Sequence, residues 1–187
     1  MATEINWDEV RSALRFLMPQ CEPAGSDAAR LALEMILGED ALKACVDYYV
    51  ADGPASELVR SVLWLLRPWS AMARCRELAT LPNRIETRRS AVELLRVVAD
   101  RRALPWVAEF LEDEDAQVQS WGIGILDQLL CSNQIEPEEA EVLLQQAVRH
   151  ENGAVRERAE FIRGFLRDRR EHGDGQAEPG NLTTNGT

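Results

Sequence analysis

The sequence predicts an all-α fold, a right-handed α-solenoid of about five helical hairpins with an N-terminal capping helix. Two observations lead to this prediction. Apolar residues recur at helical spacing in one segment after another, and short breaks rich in Gly, Pro, Asp and Asn separate these segments. Similar segments also recur about every 30 residues, which is the length of one helical hairpin.

Amphipathic helices are predicted wherever apolar residues occupy positions i, i+3, i+4 and i+7, because such residues share one helix face. Clear examples lie at residues 7–17, 42–49 and 104–111. In the segment that follows Ala55, the predicted buried stripe consists of Leu58, Val62, Leu65 and Leu66. Trp64 falls outside this stripe, on the face that carries Arg60 and Arg67.

The repeats can be superposed on five anchor residues, which are Arg30, Arg60, Arg89, Gln119 and Arg156. The last step is longer because residues 131–139 are inserted before the final helix. We therefore expect a capping helix and linker over residues 1–25 and a repeat domain over residues 26–171. Residues 172–187 lack periodic apolar positions and are predicted to form a disordered tail.

The unit over residues 99–130 resembles a HEAT repeat. Leu104 and Pro105 stand near the start of its first helix, an acidic turn follows, and Val118 opens the second helix. Gln119 replaces the Arg of the HEAT pattern, but neighbouring units restore it at Arg60, Arg89 and Arg156. The resemblance implies a stack of hairpins and leaves the function open. The short period is similar to the HEAT-like units of phycobilin lyases, and HEAT-like repeats also build a class of alkylpurine DNA glycosylases.

Charge is distributed unevenly along the chain, within a formal total of −11. Residues 60–102 carry ten Lys or Arg and four acids, whereas residues 103–148 carry ten acids and neither Lys nor Arg. Because sequence neighbours in a solenoid are neighbours in space, we expect an acidic surface beside a basic one. The acids expected to bind a basic partner protein are Glu109, Glu112, Asp113, Glu114, Asp115, Glu138 and Glu139. The alternative is that they form a solvated surface, with acids favoured at helix N-termini.

The anchor arginines form a column with Arg67, Arg96 and Arg163, each seven residues after an anchor. This column could bind acidic groups, or it could be structural, since acids stand three residues before several anchors. Trp64 lies between Arg60 and Arg67 and is either an interface anchor or a filler of the groove against the next hairpin. We therefore add Arg60, Trp64 and Arg67 to the candidate partner-binding residues.

The sequence offers no catalytic set, metal site or cofactor motif. The chain has two histidines, no C-x-x-C pair and no Gly-rich phosphate loop, and Gly122 and Gly124 are expected to allow close helix packing. The four cysteines are expected to be buried free thiols. The sequence contains no apolar run long enough to cross a membrane and no signal peptide pattern, so we expect a cytoplasmic protein. The net negative charge disfavours nucleic acid as a partner.

These observations favour a non-catalytic protein–protein interaction module whose acidic surface binds a basic partner protein, for example as an inhibitor or an immunity-type protein. The alternative function, implied by the resemblance alone, is a phycobilin lyase-like enzyme or chaperone that acts through a binding groove.

Overall fold

The computed structural model describes residue 12 and residues 26–173, and every element in that part of the chain is a helix. The prediction of an all-α fold is therefore confirmed. Ser12 is helical, but the rest of the predicted capping helix and linker lies outside the described residues. The predicted tail also lies outside them, apart from His172 and Gly173, which belong to the last helix.

The helices follow one another with short connections. In chain order they are α1 (Ser26–Leu37), α2 (Glu39–Val50), α3 (Ser56–Leu66), α4 (Trp69–Ala79), α5 (Ile85–Val98), a 3-10 helix (Arg101–Trp106), α6 (Val107–Leu111), α7 (Ala116–Cys131), α8 (Pro137–Ala147) and α9 (Gly153–Gly173). The breaks coincide with residues that favour turns, since Asp52, Asn83 and Asn133 adopt positive φ between helices.

The segment predicted as a helix over residues 104–111 is divided in two. Its first part belongs to the 3-10 helix, which contains Pro105, and only Val107–Leu111 is α-helical. Proline has no N–H to donate and its ring crowds the preceding turn, so a regular α-helix is disfavoured there. Asp100 begins the 3-10 helix by accepting a hydrogen bond from the Arg102 amide.

The helices form two rows. The odd-numbered helices contact each other in sequence, α1 with α3, α3 with α5, α5 with α7, and α7 with α9. In the other row α2 contacts α4, and α6 contacts α8. Two tryptophans join α4 to the 3-10 helix, because the rings of Trp69 and Trp106 lie 5.4 Å apart. Most contacts therefore join helices that are close in the sequence.

One hydrophobic cluster runs through both rows, from Leu42 in α2 to Leu166 in α9. Its largest fully buried side chains include Leu63 of α3, Leu95 of α5 and Ile125 of α7. A single continuous core of this kind can stabilise short helices that would be marginal alone.

The predicted burial of α3 is wrong. Leu58 is 67% exposed, Leu65 57% and Val62 40%, whereas the buried residue of this helix is Leu63. Leu66 is half-buried and packs against the core. Helical spacing identifies an apolar face, but whether that face is buried depends on whether a neighbouring helix covers it.

The cysteine prediction is correct for Cys75, which is buried, and wrong for Cys131, which is exposed. Cys45 is partly buried, and Cys21 lies outside the described residues. Trp121, predicted as core, is half-buried at the edge of the core beneath the Arg96 guanidinium, 4.8 Å from the ring centroid.

Two glycines allow helices to approach closely. A Cβ added to Gly122 of α7 would lie 2.7 Å from the Cβ of Phe110 in α6, and one added to Gly124 would lie 2.5 Å from the Cδ of Arg96 in α5. The Arg96 side chain is flexible and can move, but the Phe110 Cβ is fixed to the backbone. The prediction that these glycines serve helix packing is therefore confirmed.

We expect Gly122→Ala to lower the free energy of unfolding by about 1 kcal/mol, because overpacking costs more than the helix propensity of Ala returns. The matched control is Gly164→Ala in α9, where no atom lies within 4 Å of the added Cβ. This control should raise the free energy of unfolding by about 0.5–1 kcal/mol. Urea denaturation of both variants measures the difference, and an equal response of the two sites would contradict the packing explanation.

Candidate interaction surfaces

The acidic turn before α7 is held by arginines from α5. Arg88 pairs with Asp113, and its Nη1 donates to Glu114 at 3.0 Å. Arg89 contacts Asp115 through two hydrogen bonds, with Nη2 at 2.8 Å and Nε at 3.1 Å from its carboxylate oxygens. Three of the acids predicted to bind a partner are therefore paired within the chain.

The turn is fixed on its other side by the backbone. Asp115 is the N-cap of α7, and its carboxylate accepts hydrogen bonds from the amides of Gln117 and Val118. Asp113 accepts a hydrogen bond from the Asp115 amide at 2.9 Å. The side chains of Asp113 and Asp115 are each only 14% exposed. These carboxylates thus link the start of α7 to α5.

The surroundings of Asp115 favour its ionised form. Hydrogen bonds from Arg89 lower the pKa of Asp115 below its ordinary value, burial opposes this shift, and the Val118 amide adds to it. The folded state therefore binds a proton at Asp115 less readily than the unfolded chain does. The stabilisation is present near neutral pH and is lost as the pH falls through the lowered pKa.

The remaining acids of residues 103–148 are mostly paired in the same way. Glu109 accepts two hydrogen bonds from Arg76 Nη2, the shorter at 2.7 Å. The other pairs are Asp127 with Arg158 at 3.1 Å, Glu139 with Arg101 at 2.6 Å, and Glu138 with Arg170 at 3.8 Å. With the three acids of the turn, seven of the ten acids in this stretch pair with an arginine from outside it.

Folding therefore offsets much of the charge separation seen in the sequence. Arginines from the basic residues 60–102 and from α9 reach across to the acidic stretch. Of the predicted acidic site residues, Glu112 alone is exposed and has no ion pair in the described part of the chain. Glu139 also closes a capping box with Glu136 at the start of α8.

The anchor column has contacts within the fold. Arg60 pairs with Glu57 at 3.0 Å, and Arg156 donates to the carbonyls of His150 and Glu151. At the position where the Arg is lost, Gln119 is buried and donates to the Asp113 carbonyl at 2.6 Å. Arg60, Gln119 and Arg156 therefore each contact a neighbouring group of the fold.

Both ring nitrogens of His150 form hydrogen bonds with backbone groups. Its Nε2 lies 2.8 Å from the Leu111 carbonyl, and its Nδ1 accepts a hydrogen bond from the Asn152 amide at 3.0 Å. The first contact requires a donor and the second an acceptor, which fixes one neutral tautomer in this arrangement. His150 therefore connects α6 to the turn before α9.

Arg60 and Trp64 lie in α3, and Arg67 is its C-cap. Trp64 is 45% exposed. Arg67 ends α3 in the left-handed conformation, with φ 45° and ψ 50°. α3 packs against α1, α2 and α5. The structure thus divides the predicted site residues between α3, the helices α6 and α8, and the acidic turn before α7.

α3 exposes four large apolar side chains, which we call the α3 patch: Leu58, Val62 and Leu65 lie on one face, and Trp64 lies on the face that carries Arg60 and Arg67. All four side chains are at least 40% exposed. When Arg60 is superposed on Arg89, Val62 and Leu65 correspond to Ala91 and Leu94 of α5, which are fully buried. The apolar spacing of α3 therefore predicted a buried stripe, but no helix among residues 26–173 covers Leu58, Val62 and Leu65.

The described residues contain no group of three His, Cys, Asp or Glu side chains arranged to hold a metal ion. In the same part of the chain, no helix combines the length and the apolar character needed to span a membrane. No protein-family model, curated protein or solved structure matches this chain.

We expect Asp115→Ala to lower the free energy of unfolding by about 1–2 kcal/mol, because it removes both the cap of α7 and the partner of Arg89. Asp115→Asn keeps an oxygen for the cap and should cost less than about 1 kcal/mol. Equal losses for the two variants would contradict a capping role.

The Asp115→Asn variant also tests the pH dependence. Acidification of the wild-type chain below the ordinary pKa of an aspartate, 3.8, should remove the contribution of Asp115. The difference in unfolding free energy between wild type and Asp115→Asn should therefore shrink as the pH falls through this range. A difference that stays constant between pH 7 and pH 3 would contradict the lowered pKa.

Proposed function

We propose that this chain is a non-catalytic protein–protein interaction module built as a right-handed solenoid of HEAT-like hairpins. The alternation of two rows of helices and the recurrence of similar residues at the start of α1, α3, α5, α7 and α9 support this architecture. Such arrays commonly bind partners over an extended surface and need no catalytic residues to do so.

The observation that carries the proposal is the α3 patch. Monomeric proteins expose single apolar side chains freely, but contiguous apolar surfaces mark interaction sites. Leu58, Val62 and Leu65 lie one helical turn apart on one side of α3, and Trp64 lies on the face that carries Arg60 and Arg67. Exposed tryptophan and arginine side chains are enriched in interface hot spots.

The net charge of the chain predicts the charge of its partner. Although many acids are paired, the chain keeps a formal net charge of −11, and a field of this sign attracts a basic protein at long range. Paired acids contribute little to contact energy, so we assign them to the fold and assign binding energy to the α3 patch. Glu112 and the net field then steer a basic partner towards the chain.

An inhibitor or immunity-type protein fits this description, because its task is to cover another protein's surface. The ring nitrogens of His150 are committed to backbone groups, and the acids of the turn are committed to Arg88 and Arg89. In this proposal these groups stabilise the fold, and the function of the chain is binding.

We expect the double variant Leu58→Asp, Leu65→Asp to weaken partner binding at least 30-fold, because hot-spot residues contribute about 2 kcal/mol or more. The partner is first captured on the immobilised wild-type chain at low salt and identified by mass spectrometry, and its affinity is then measured by calorimetry. Higher salt should reduce its association rate if the partner is basic.

Val142→Asp in α8 provides the matched control, since Val142 is also 66% exposed but lies outside the α3 patch. This variant should bind the partner like the wild-type chain. Circular dichroism and thermal unfolding check that all variants are folded. Unchanged affinity of the double variant, or equal loss in the control, would rule out the α3 patch as the binding surface.

A further inference from the structure

A cavity of about 380 Å³ lies between α7 and α9, and its volume is within the range of ligand pockets. It is lined by Ser120 and Trp121 of α7 and by Ala154, Glu157, Arg158 and Phe161 of α9. The four residues from α9 are exposed, and the two from α7 are half-buried. The cavity is therefore an open groove between two helices of one row, and it shares no residue with the α3 patch.

Two aromatic side chains form the apolar part of the groove. Phe161 is 60% exposed, and Trp121 is half-buried at the edge of the core. The chain itself places a guanidinium near each ring, since the Cζ of Arg96 lies 4.8 Å from the Trp121 ring centroid and that of Arg158 lies 5.6 Å from the Phe161 ring centroid. Cations are attracted to the faces of such rings. The walls of the groove therefore suit a positively charged ligand.

The arginines around the groove have acidic partners, but its glutamate has no cationic one. Arg158 pairs with Asp127 at 3.1 Å, and Arg96 lies 3.9 Å from Glu93. The carboxylate of Glu157 is exposed and forms neither an ion pair nor a hydrogen bond with the part of the chain that the structure describes. The lining therefore presents one negative charge that is available to a ligand.

These features select an arginine side chain as the ligand. Its guanidinium is planar and positively charged, so it can stack on an aromatic ring and donate hydrogen bonds to a carboxylate at the same time. Glu157 and Phe161 lie four positions apart on the same face of α9, where one side chain can contact both. An anion would be repelled by Glu157, and a purely apolar group would cover a carboxylate without giving it a partner, which costs free energy.

We propose that the groove between α7 and α9 binds an arginine side chain of the basic partner protein. This proposal rests on the proposed function for the identity of the partner, and it adds a second contact to the α3 patch. The net negative charge attracts the partner, the α3 patch supplies an apolar contact, and the groove holds one of the partner's arginines.

A short peptide tests the groove without the partner. The Trp121 indole signal and the amide signals of α9 are followed in ¹⁵N-edited NMR spectra while acetyl-Gly-Arg-Gly-amide is added to the full chain, with sodium chloride at equal ionic strength as the reference. We expect saturable shifts with half-saturation on the order of 10 mM, as suits a single side chain. The same peptide with citrulline has the shape of arginine without its charge and should bind at least about 5-fold more weakly. The peptide with lysine keeps the charge without the planar group and should also bind more weakly.

Two variants with the same change of charge separate the groove from the general field of the chain. Glu157→Lys replaces attraction by repulsion and should weaken binding of the arginine peptide at least about 5-fold. Glu160→Lys, at an exposed acid of α9 outside the lining, should bind within about 2-fold of wild type. Both positions are exposed, so both variants should fold, and circular dichroism checks this. The proposal would be overturned by no saturable shift of the wild-type signals up to about 100 mM, ten times the expected half-saturation, by equally tight binding of the citrulline or lysine peptide, or by equal losses in the two variants.

The α3 patch variant distinguishes this proposal from the proposed function. Leu58→Asp, Leu65→Asp should bind the arginine peptide like wild type, because neither residue lines the groove. Glu157→Lys should in turn weaken binding of the captured partner at least about 5-fold, and unchanged affinity would overturn the groove as a contact with the partner. A peptide that does not bind rejects the groove alone, whereas loss of the partner at the α3 patch is measured without the peptide.

Discussion

Ion pairs between α5 and the turn before α7 fix where α7 begins and how it lies against α5. Arg88 and Arg89 reach from the first turn of α5 to Asp113, Glu114 and Asp115. Asp115 also caps α7, so one carboxylate sets both the start of that helix and its position against α5. The close packing of α7 on α6 at Gly122 requires the same alignment. Arg88 and Asp113 are both largely shielded from water, so this pair is worth more than an exposed surface pair.

The same ion pairs also determine how much of the acidic stretch remains unpaired. An acidic stretch without any Lys or Arg suggests a binding surface when read as a sequence, but arginines from neighbouring helices neutralise most of it. In the proposed function, binding energy and charge are assigned to different parts of the molecule. The α3 patch would contact the partner, and the net negative field would attract a basic protein from a distance.

Much of the fold could be predicted because its determinants are local. Helical spacing and turn residues predicted the helices and their breaks, and the small size of Gly122 indicated close packing. The position of Trp64 outside the apolar stripe left open whether it is exposed or fills a groove, and the structure shows it 45% exposed. Other features depend on tertiary structure. Leu58 and Leu65 fit a buried stripe as well as Leu94 does, and only the absence of a covering helix among the described residues distinguishes them. The pairing of Arg88 with Asp113 requires residues 25 positions apart to meet.

The central claim is that the acids of the turn serve the fold through their arginines, and a double-mutant cycle on Arg88 and Asp113 tests it most directly. Unfolding free energies are measured for wild type, Arg88→Met, Asp113→Asn and the double variant. Because both side chains are mostly buried, we predict a coupling energy of about 1 kcal/mol or more in favour of the pair. A coupling energy of about 0.3 kcal/mol or less would contradict this claim. The carboxylates of the turn would then be available to bind a partner.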